Sequence, residues 1–181
     1  MNNGRERVRI AALLALAVLV LSTACLWTGR TGEVRTETEI VELGGAEEVD
    51  VHVRMGAGGL TLGEGAEGLA DADFVYNVPD WRPTIDYVVA GDKGELWIEQ
   101  PEVKTLSLES YRYEWDVRLA EDVPMTLDVA LGAGESDIDV STLTLMDLDV
   151  KTGLGGIRLD LTGEREQNLD VSVTGGEGAR G

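Results

Sequence analysis

A short internal repeat constrains the fold of this chain more than any other feature. The triplet Leu127-Asp128-Val129 recurs as Leu148-Asp149-Val150 and, at the same interval, as Leu169-Asp170-Val171. A Gly-x-Gly corner follows the first two copies, and a weaker form follows the third. A 21-residue unit carries two short strands and cannot bury its own apolar side. Units stacked one strand spacing apart bury a continuous column of apolar side chains. The repeat therefore predicts a β-solenoid with 21-residue rungs.

The sequence over residues 40–181 predicts one all-β domain. Residues 51–62 form an earlier copy of the repeat that aligns with residues 127–138 without a gap. Twenty-two glycines follow residue 25, too many for long helices, and no window shows a sustained 3.6-residue apolar period. Alternation of apolar and polar residues predicts strands with one buried side. The expected inward-facing set is Leu127, Val129, Leu131, Ile138, Val140, Leu148, Val150, Leu159, Leu161, Leu169, Val171 and Val173.

Residues 1–25 have the three-part pattern of a bacterial export signal. Three arginines precede the apolar segment Ile10 to Leu21, and small residues then lead to Cys25. The apolar segment is short for a membrane-spanning helix, which needs about 20 residues. The ending resembles the lipobox of bacterial lipoproteins, which implies a diacylglyceryl group on Cys25. An ordinary cleavage site and an uncleaved anchor helix are the alternatives. We expect a signal peptide over 1–25 and a flexible tether over 26–39.

The charge of the exported part limits its partners. With three arginines and one glutamate of the leader set aside, 12 basic and 33 acidic residues remain, a net charge of −21. Such a chain repels nucleic-acid phosphates and anionic lipid head groups. It therefore needs a lipid or an anchor helix to stay at a membrane. We expect it on the extracytoplasmic face of the bacterial cell membrane, with no nucleic-acid partner.

No set of residues in the sequence predicts catalysis. The only histidine, His52, is expected to point outward from a strand into solvent, and no Ser-His-Asp or Cys-His pair can be assembled around it. The glycine-rich segments lack the Lys-Ser/Thr of a phosphate-binding loop and precede strands rather than helices. Cys25 is the only cysteine, so disulfide bonds within the chain and cysteine-based metal sites are excluded. We expect no enzyme activity and no cofactor.

Three aspartates occupy the same position of the repeat. Asp128, Asp149 and Asp170 are expected to stack on one outward face, where like charges on neighbouring strands destabilise the sheet. A divalent cation such as calcium would relieve that repulsion. A solvated acidic face, partly neutralised by the nearby Lys151, is the alternative.

Aromatic residues concentrate in a non-repeating block over residues 63–126. Aromatic side chains are enriched in binding surfaces, so this block predicts an interaction face. A cap over the end of the solenoid, with rings in place of stacked aliphatic side chains, is the alternative. The candidate face consists of Tyr76, Trp81, Tyr87, Trp97 and Trp115.

The order of these segments resembles the toast-rack domain family of bacterial envelope proteins, which is related to the "putative adhesin" solenoids. The resemblance rests on Phe74-x-Tyr76-Asn77 with the Trp81/Pro83 turn and Tyr87, on Glu114 to Leu119 with Asp122-Val123-Pro124, and on Leu131 to Gly134 with the Leu-Asp-Val repeats. It covers residues 40–181 and implies a right-handed β-solenoid without a settled activity. Members usually continue through further strands past the third copy. We therefore expect truncation at the C-terminal end, with a covering partner as the alternative.

These features together predict a non-catalytic, membrane-anchored envelope protein with a structural, interaction or sensing role. Its partner would be an envelope protein or a glycan. The alternative is a cation-dependent adhesin or ligand-binding protein that uses the stacked aspartates.

Overall fold

A computed structural model describes residues 31–102, 111–163 and 168–176. Within these ranges nine strands form one continuous sheet, and no helix is long and apolar enough to cross a membrane. The expected all-β domain is confirmed. The leader, with Cys25, lies outside the described residues. The strands are β1 (Arg35–Val41), β2 (Glu48–Glu64), β3 (Ala70–Tyr76), β4 (Thr84–Ala90), β5 (Lys93–Glu99), β6 (Tyr113–Leu119), β7 (Met125–Asp139), β8 (Leu145–Asp160) and β9 (Asp170–Gly175), with a 3-10 turn at Pro79–Trp81.

Three long strands, β2, β7 and β8, bend at their glycine corners and divide the sheet into two walls. Wall one contains the first halves of these strands in the order β4-β5-β2-β7-β8-β9, and wall two contains their second halves in the order β1-β3-β6-β2-β7-β8. The parallel pairs are β5-β2, β2-β7, β7-β8, β8-β9 and β2-β6. The antiparallel pairs are β4-β5, β1-β3 and β3-β6. The apolar core lies between the walls.

The pairing of β2 with β7 confirms the earlier copy of the repeat. Val51 lies opposite Leu127 and Leu62 lies opposite Ile138, in parallel and in the register that the sequence alignment requires. The expected spacing of the repeat is confirmed between β7 and β8, where Leu127 lies opposite Leu148. Strands that are distant in sequence, such as β2 and β7, are thus direct neighbours in the sheet.

The third copy of the repeat does not keep the expected spacing. Leu148 lies opposite Val171, whereas the repeat would place it opposite Leu169. Asp170 consequently lies opposite Asp147, not opposite Asp149. The expected alignment of the third Leu-Asp-Val triplet with the second is therefore wrong by two positions.

Close packing of the corner glycines explains this difference. A Cβ on Gly153 would overlap the carbonyl oxygen of Gly132, and a Cβ on Gly176 would overlap that of Gly153 in the same way. Only glycine allows backbones to approach so closely, so the glycines align with one another. Their alignment sets the register of β9, and the two additional residues lie between the strands.

The expected inward set is buried in β7 and in the first half of β8 but not beyond. Val171 and Val173 are 44% and 52% exposed. They lie on β9, the last strand of wall one, and no described strand pairs with β9 on the side away from β8. Leu161 is also exposed, and Leu159 and Leu169 are only partly buried. The burial expected for this last rung is therefore incorrect in the described part of the chain.

The strand β1 begins at Arg35, within the segment 26–39 in which we expect a flexible tether. Its alternating Thr and Glu side chains give no apolar signal, and all of its residues except Val41 are exposed or half-buried. The strand forms by antiparallel pairing with β3 along its whole length. Pairing at a sheet edge needs only backbone N–H and C=O groups, so amino-acid composition does not predict it.

Gln100 closes the corner of β2 where β5 ends. Its backbone N–H donates to Arg54 O at 2.8 Å, and its side-chain Oε1 accepts from the backbone N–H groups of Gly56 (2.6 Å) and Ala57 (3.0 Å). The side-chain oxygen therefore takes the place of a strand carbonyl at this corner.

We expect Gln100→Leu to reduce the free energy of unfolding by about 1–3 kcal/mol, because it leaves two corner N–H groups without that acceptor. Gln100→Glu keeps an acceptor oxygen and should lose clearly less. Urea unfolding of both variants measures the effect, and equal stability of Gln100→Leu and wild type would contradict this role.

Candidate interaction surfaces

Most of the aromatic residues expected on an interaction face lie in the core instead. Tyr76, Trp81 and Trp115 are 0%, 5% and 2% exposed. Trp115 packs edge-on against Phe74, and the hydroxyl of Tyr113 donates to Trp81 O at 2.7 Å. Tyr76, Trp81 and Trp115 cannot contact a partner in this conformation, so that part of the expected face is wrong. They lie on the inward sides of β3 and β6 or in the turn that packs on them.

Tyr87 and Trp97 are half-buried and belong to opposite sides of wall one. Tyr87 lies on the inward side of β4, where its hydroxyl donates to Leu43 O at 2.7 Å, and burial raises its pKa. Trp97 alternates with the buried Leu96 and Ile98 and therefore faces outward. Of the five expected residues, Trp97 alone lies on an outer face.

Trp97 forms a compact cluster with side chains from β2 and β7. The His52 ring stacks on it with centroids 4.0 Å apart and planes 22° apart, and the Arg54 guanidinium lies 5.7 Å from the Trp97 ring centre. Glu95 and Asp128 flank the histidine. We call these five residues the Trp97 surface. The His52 side chain is only 20% exposed, so the expectation of a solvated strand residue is wrong.

Arg54 determines the charge state of Asp128. Burial works against ionisation of Asp128, but hydrogen bonds from Arg54 and its positive charge outweigh burial, so the pKa of Asp128 lies below its ordinary value. On the next strand Lys151 pairs in the same way with Asp149, and the pKa of Lys151 is raised by that hydrogen bond. The outer face of wall one therefore carries paired charges.

The expected stack of three aspartates is reduced to two. Asp128 and Asp149 lie opposite each other, but Asp170 lies opposite Asp147 because of the register of β9. The described residues contain no group of three or more His, Cys, Asp or Glu side chains arranged to hold a metal ion. Arg54 and Lys151 pair with the two aspartates and supply positive charge that a divalent cation would otherwise provide.

The outer face of wall two carries an acidic groove with a volume of about 820 Å³. Gly59 and Gly156 contribute backbone without side chains to its lining, and Arg158 lies 3.6 Å from Asp137 at one side. Arg118 pairs with Asp73 and Arg112 pairs with Glu114, so arginines offset part of its negative charge. The carboxylates that line it are Asp73, Glu114, Asp116, Glu135 and Asp137.

A known protein family shares the pattern of this chain over nearly all of its length. Residues 30–180 match the family described as the N-terminal domain of toast_rack, DUF2154. The chain belongs to the toast-rack family. No curated protein matches it.

Solved structures extend the comparison of this toast-rack chain. A "putative cell adhesion protein" from Clostridium sporogenes is 35% identical with a TM-score of 0.77, over 79% of this chain and 68% of that one. A "putative adhesin" from Parabacteroides distasonis is 9% identical with a TM-score of 0.31, over 79% and 66% of the two chains. The second similarity is too weak to carry an argument, so the fold comparison rests on the Clostridium protein.

The sequence predicts only part of the Trp97 surface of the toast-rack domain. The alternation of Glu95, Trp97 and Glu99 with buried residues places Trp97 on an outer face, and that signal was available. Its neighbours depend on the pairing of β5 with β2, where His52 lies opposite Trp97. Because β5 falls outside the repeat, no alignment within the chain could reveal this pairing.

Glu37 fastens the first strand of the toast-rack domain to its core. The carboxylate accepts from Arg82 Nε and from the Tyr76 hydroxyl, both at 2.8 Å. These two hydrogen bonds lower the pKa of Glu37 below its usual value. The ionised carboxylate thus stabilises the attachment of β1.

We expect Glu37→Gln to lower the free energy of unfolding at pH 7 by about 0.5 kcal/mol, the range of exposed ion pairs. Because the folded-state pKa is depressed, this stabilisation is present above the usual pKa of about 4.3 and is lost as pH falls below it. Urea unfolding of wild type and Glu37→Gln between pH 7 and pH 3 should therefore converge. A difference that grows in acid would contradict the assignment.

Proposed function

We propose that this chain is a non-catalytic interaction module of the bacterial envelope, held on the outer side of the membrane by a lipid on Cys25. One observation carries the proposal: the 35% identity and TM-score of 0.77 to the Clostridium sporogenes protein named as a cell adhesion protein. Membership of the toast-rack family supports it. The partner would be an envelope protein or a glycan.

The architecture suits such a role. The inward side chains pack against one another in the core between the walls, so both outer faces remain available for contact. The Trp97 surface is the stronger contact candidate, because it combines an aromatic ring with an arginine and carboxylates. Aromatic and arginine side chains are enriched where proteins bind partners.

The membrane attachment has a direct test. Cells that express the full chain should retain it in the membrane fraction until detergent is added, and Cys25→Ser, which cannot carry the lipid, should accumulate as the larger precursor that keeps its leader. Metabolic labelling with a radioactive fatty acid should mark wild type and not the variant. If wild type takes no label and has the same size as Cys25→Ser, an uncleaved anchor helix replaces the lipid in this account.

The contact role is tested by adhesion of whole cells. Strains with the gene intact, deleted, or carrying Trp97→Ala with Arg54→Ala are compared on surfaces coated with envelope glycan and with intact cells. We expect deletion to reduce attachment and the double variant to reduce it similarly, while Glu135→Gln in the acidic groove of wall two leaves it unchanged. Equal attachment of all four strains would contradict the proposal.

The cation-dependent alternative has weaker support, because Arg54 and Lys151 already pair with Asp128 and Asp149. A protein that binds calcium in its folded state melts at higher temperature when calcium is added. We expect millimolar calcium to leave the melting temperature of this domain unchanged relative to EDTA. An increase of several degrees would favour the alternative.

A further inference from the structure

β4 is the edge strand of wall one, and in the described part of the chain only β5 pairs with it. The backbone hydrogen bonds that described residues make outside the strand ladders do not involve residues 84–90. One row of N–H and C=O groups of β4 therefore points away from the sheet. Such a row is a template for pairing with another extended chain.

This edge lacks the features that usually protect an edge strand. Proteins blunt such edges with proline, lysine, bulges or charges that point inward. β4 contains neither proline nor lysine, and its register with β5 runs without a shift. By contrast β1, an edge strand of wall two, places Glu37 opposite the buried Phe74 and so directs a charge inward. The edge of β4 is therefore the more open of the two to an added strand.

The Trp97 ring turns one of its faces toward β4. His52 and Arg54, which contact the ring, both belong to β2 on its other side. The register partner of Trp97 in β4 is Asp86, an exposed residue whose short side chain cannot cover an indole. Because His52 stacks on the face turned to β2, the opposite face of the indole stays open above Asp86.

Carboxylates without a cationic partner lie around this open face. Within the described ranges the carboxylates of Asp86 and Glu99 make no hydrogen bond or ion pair. Glu95 accepts from Trp97 Nε1 at 3.1 Å and thereby holds a third negative charge beside the ring. Arg54, on the far side of the ring, is engaged by Asp128. A positive group placed on the open face would meet both an aromatic ring and negative charge.

We propose that an extended segment of a partner protein pairs with the free edge of β4 and lays a lysine or arginine side chain across Asp86 onto Trp97. An added strand lies about 4.8 Å from β4, and its residue opposite Asp86 points to the same outer face as Trp97. A long basic side chain spans the one intervening strand. Main-chain hydrogen bonds supply affinity, and the basic side chain supplies selectivity. The inference rests on the proposed contact role of the Trp97 surface and commits it to a protein partner.

The test is a nuclear magnetic resonance titration of the isotopically labelled full chain in neutral detergent. The probe is a synthetic peptide as long as β4 that alternates threonine and valine around one central arginine, and a second peptide has glutamine at that position. We expect the amide signals of residues 84–90 and the Trp97 indole signal to shift. The arginine peptide should bind about ten-fold more tightly, as a cation–π contact with an exposed ion pair would give. Unchanged β4 signals at millimolar arginine peptide, or equal affinity of both peptides, would overturn the proposal.

A lysine introduced on the edge strand gives a second test that leaves Trp97 in place. Val88 is 57% exposed and lies opposite Glu95. Val88→Lys should weaken binding of the arginine peptide about five-fold, because its ammonium group competes for Glu95 and repels the arginine. The matched change Val75→Lys on the outer face of wall two should leave binding unchanged. Equal affinity of the two variants would count against pairing at β4.

Two further measurements separate this inference from the proposed contact role. A neutral oligosaccharide of the envelope glycan is titrated in the same way. If it shifts the Trp97 signal and the arginine peptide does not, the contact role stands and the protein partner is ruled out. If the β4 signals change when the chain is diluted without peptide, a second copy occupies the edge and the proposal fails. The adhesion of the Trp97→Ala, Arg54→Ala strain is read independently of both titrations.

Discussion

Replacing Gly134 with alanine is expected to destabilise the domain severely. Gly134 has φ of 134°, a conformation that residues with a side chain rarely adopt, and an added Cβ would overlap the carbonyl oxygen of Gly58 on the adjacent strand. Neither backbone can move away, because β2 and β7 are paired on both sides of the corner. We expect a loss of about 4 kcal/mol or more, a large share of the stability of an ordinary domain. Circular dichroism and urea unfolding measure it.

Gly156 supplies the matched control for this substitution. It follows the corresponding corner of β8, its φ is not positive, and no atom lies within 4 Å of an added Cβ. Gly156→Ala should therefore change stability by less than about 0.5 kcal/mol, as surface substitutions usually do. A Gly134→Ala variant as stable as Gly156→Ala would mean that the corners are not packed backbone to backbone.

Truncating Trp115 to alanine is expected to cost about 3–5 kcal/mol, the range for removing a large buried ring. The side chain is 2% exposed and sits between Phe74 and Tyr113, with ring centres 5.3 Å and 5.7 Å away. The variant leaves a cavity between the walls that these rings cannot fill. Thermal and urea unfolding should both show the loss.

Trp97→Ala distinguishes a core residue from a surface residue of the same type. Trp97 lies on the outer face of wall one, so its removal forfeits the stacking with His52 but opens no cavity in the core. We expect a loss of about 1 kcal/mol, the upper part of the range for an aromatic pair. Comparable losses in Trp97→Ala and Trp115→Ala would contradict the division between core and surface described here.

The repeated part of the fold could be predicted from sequence, because the spacing of its apolar residues and glycines indicates which side chains are buried and where backbones meet. Alternating Leu and Val predict a buried column, and corner glycines predict close backbone approach, so the pairs of Val51 with Leu127 and of Leu127 with Leu148 follow from alignment alone. The register of β9 could not be obtained from the Leu-Asp-Val triplet. Stacking of Gly176 on Gly153 determines it, and two residues of connecting chain shift the triplet out of line.

The non-repeated part of the chain resisted prediction for a different reason. Its aromatic residues show that large rings are present but not whether the rings face the core or the solvent. Which side of a strand is buried depends on what pairs with that strand. Trp81 is buried by Tyr111 and Tyr113, and Trp115 by Phe74, through pairings that link antiparallel strands to the parallel stack. The His52 cluster likewise depends on β5 lying beside β2.

Cysteine cross-linking tests the stacking of parallel rungs most directly. Thr61 and Asp137 are exposed register partners on β2 and β7, although they are far apart in sequence. In a Cys25→Ser background, Thr61→Cys with Asp137→Cys should react almost completely with a short bifunctional thiol reagent. The control pair Glu95→Cys with Asp137→Cys is closer in sequence but lies on different walls, and it should not react. Cross-linking of the control pair but not of the register pair would contradict the stacked-rung fold.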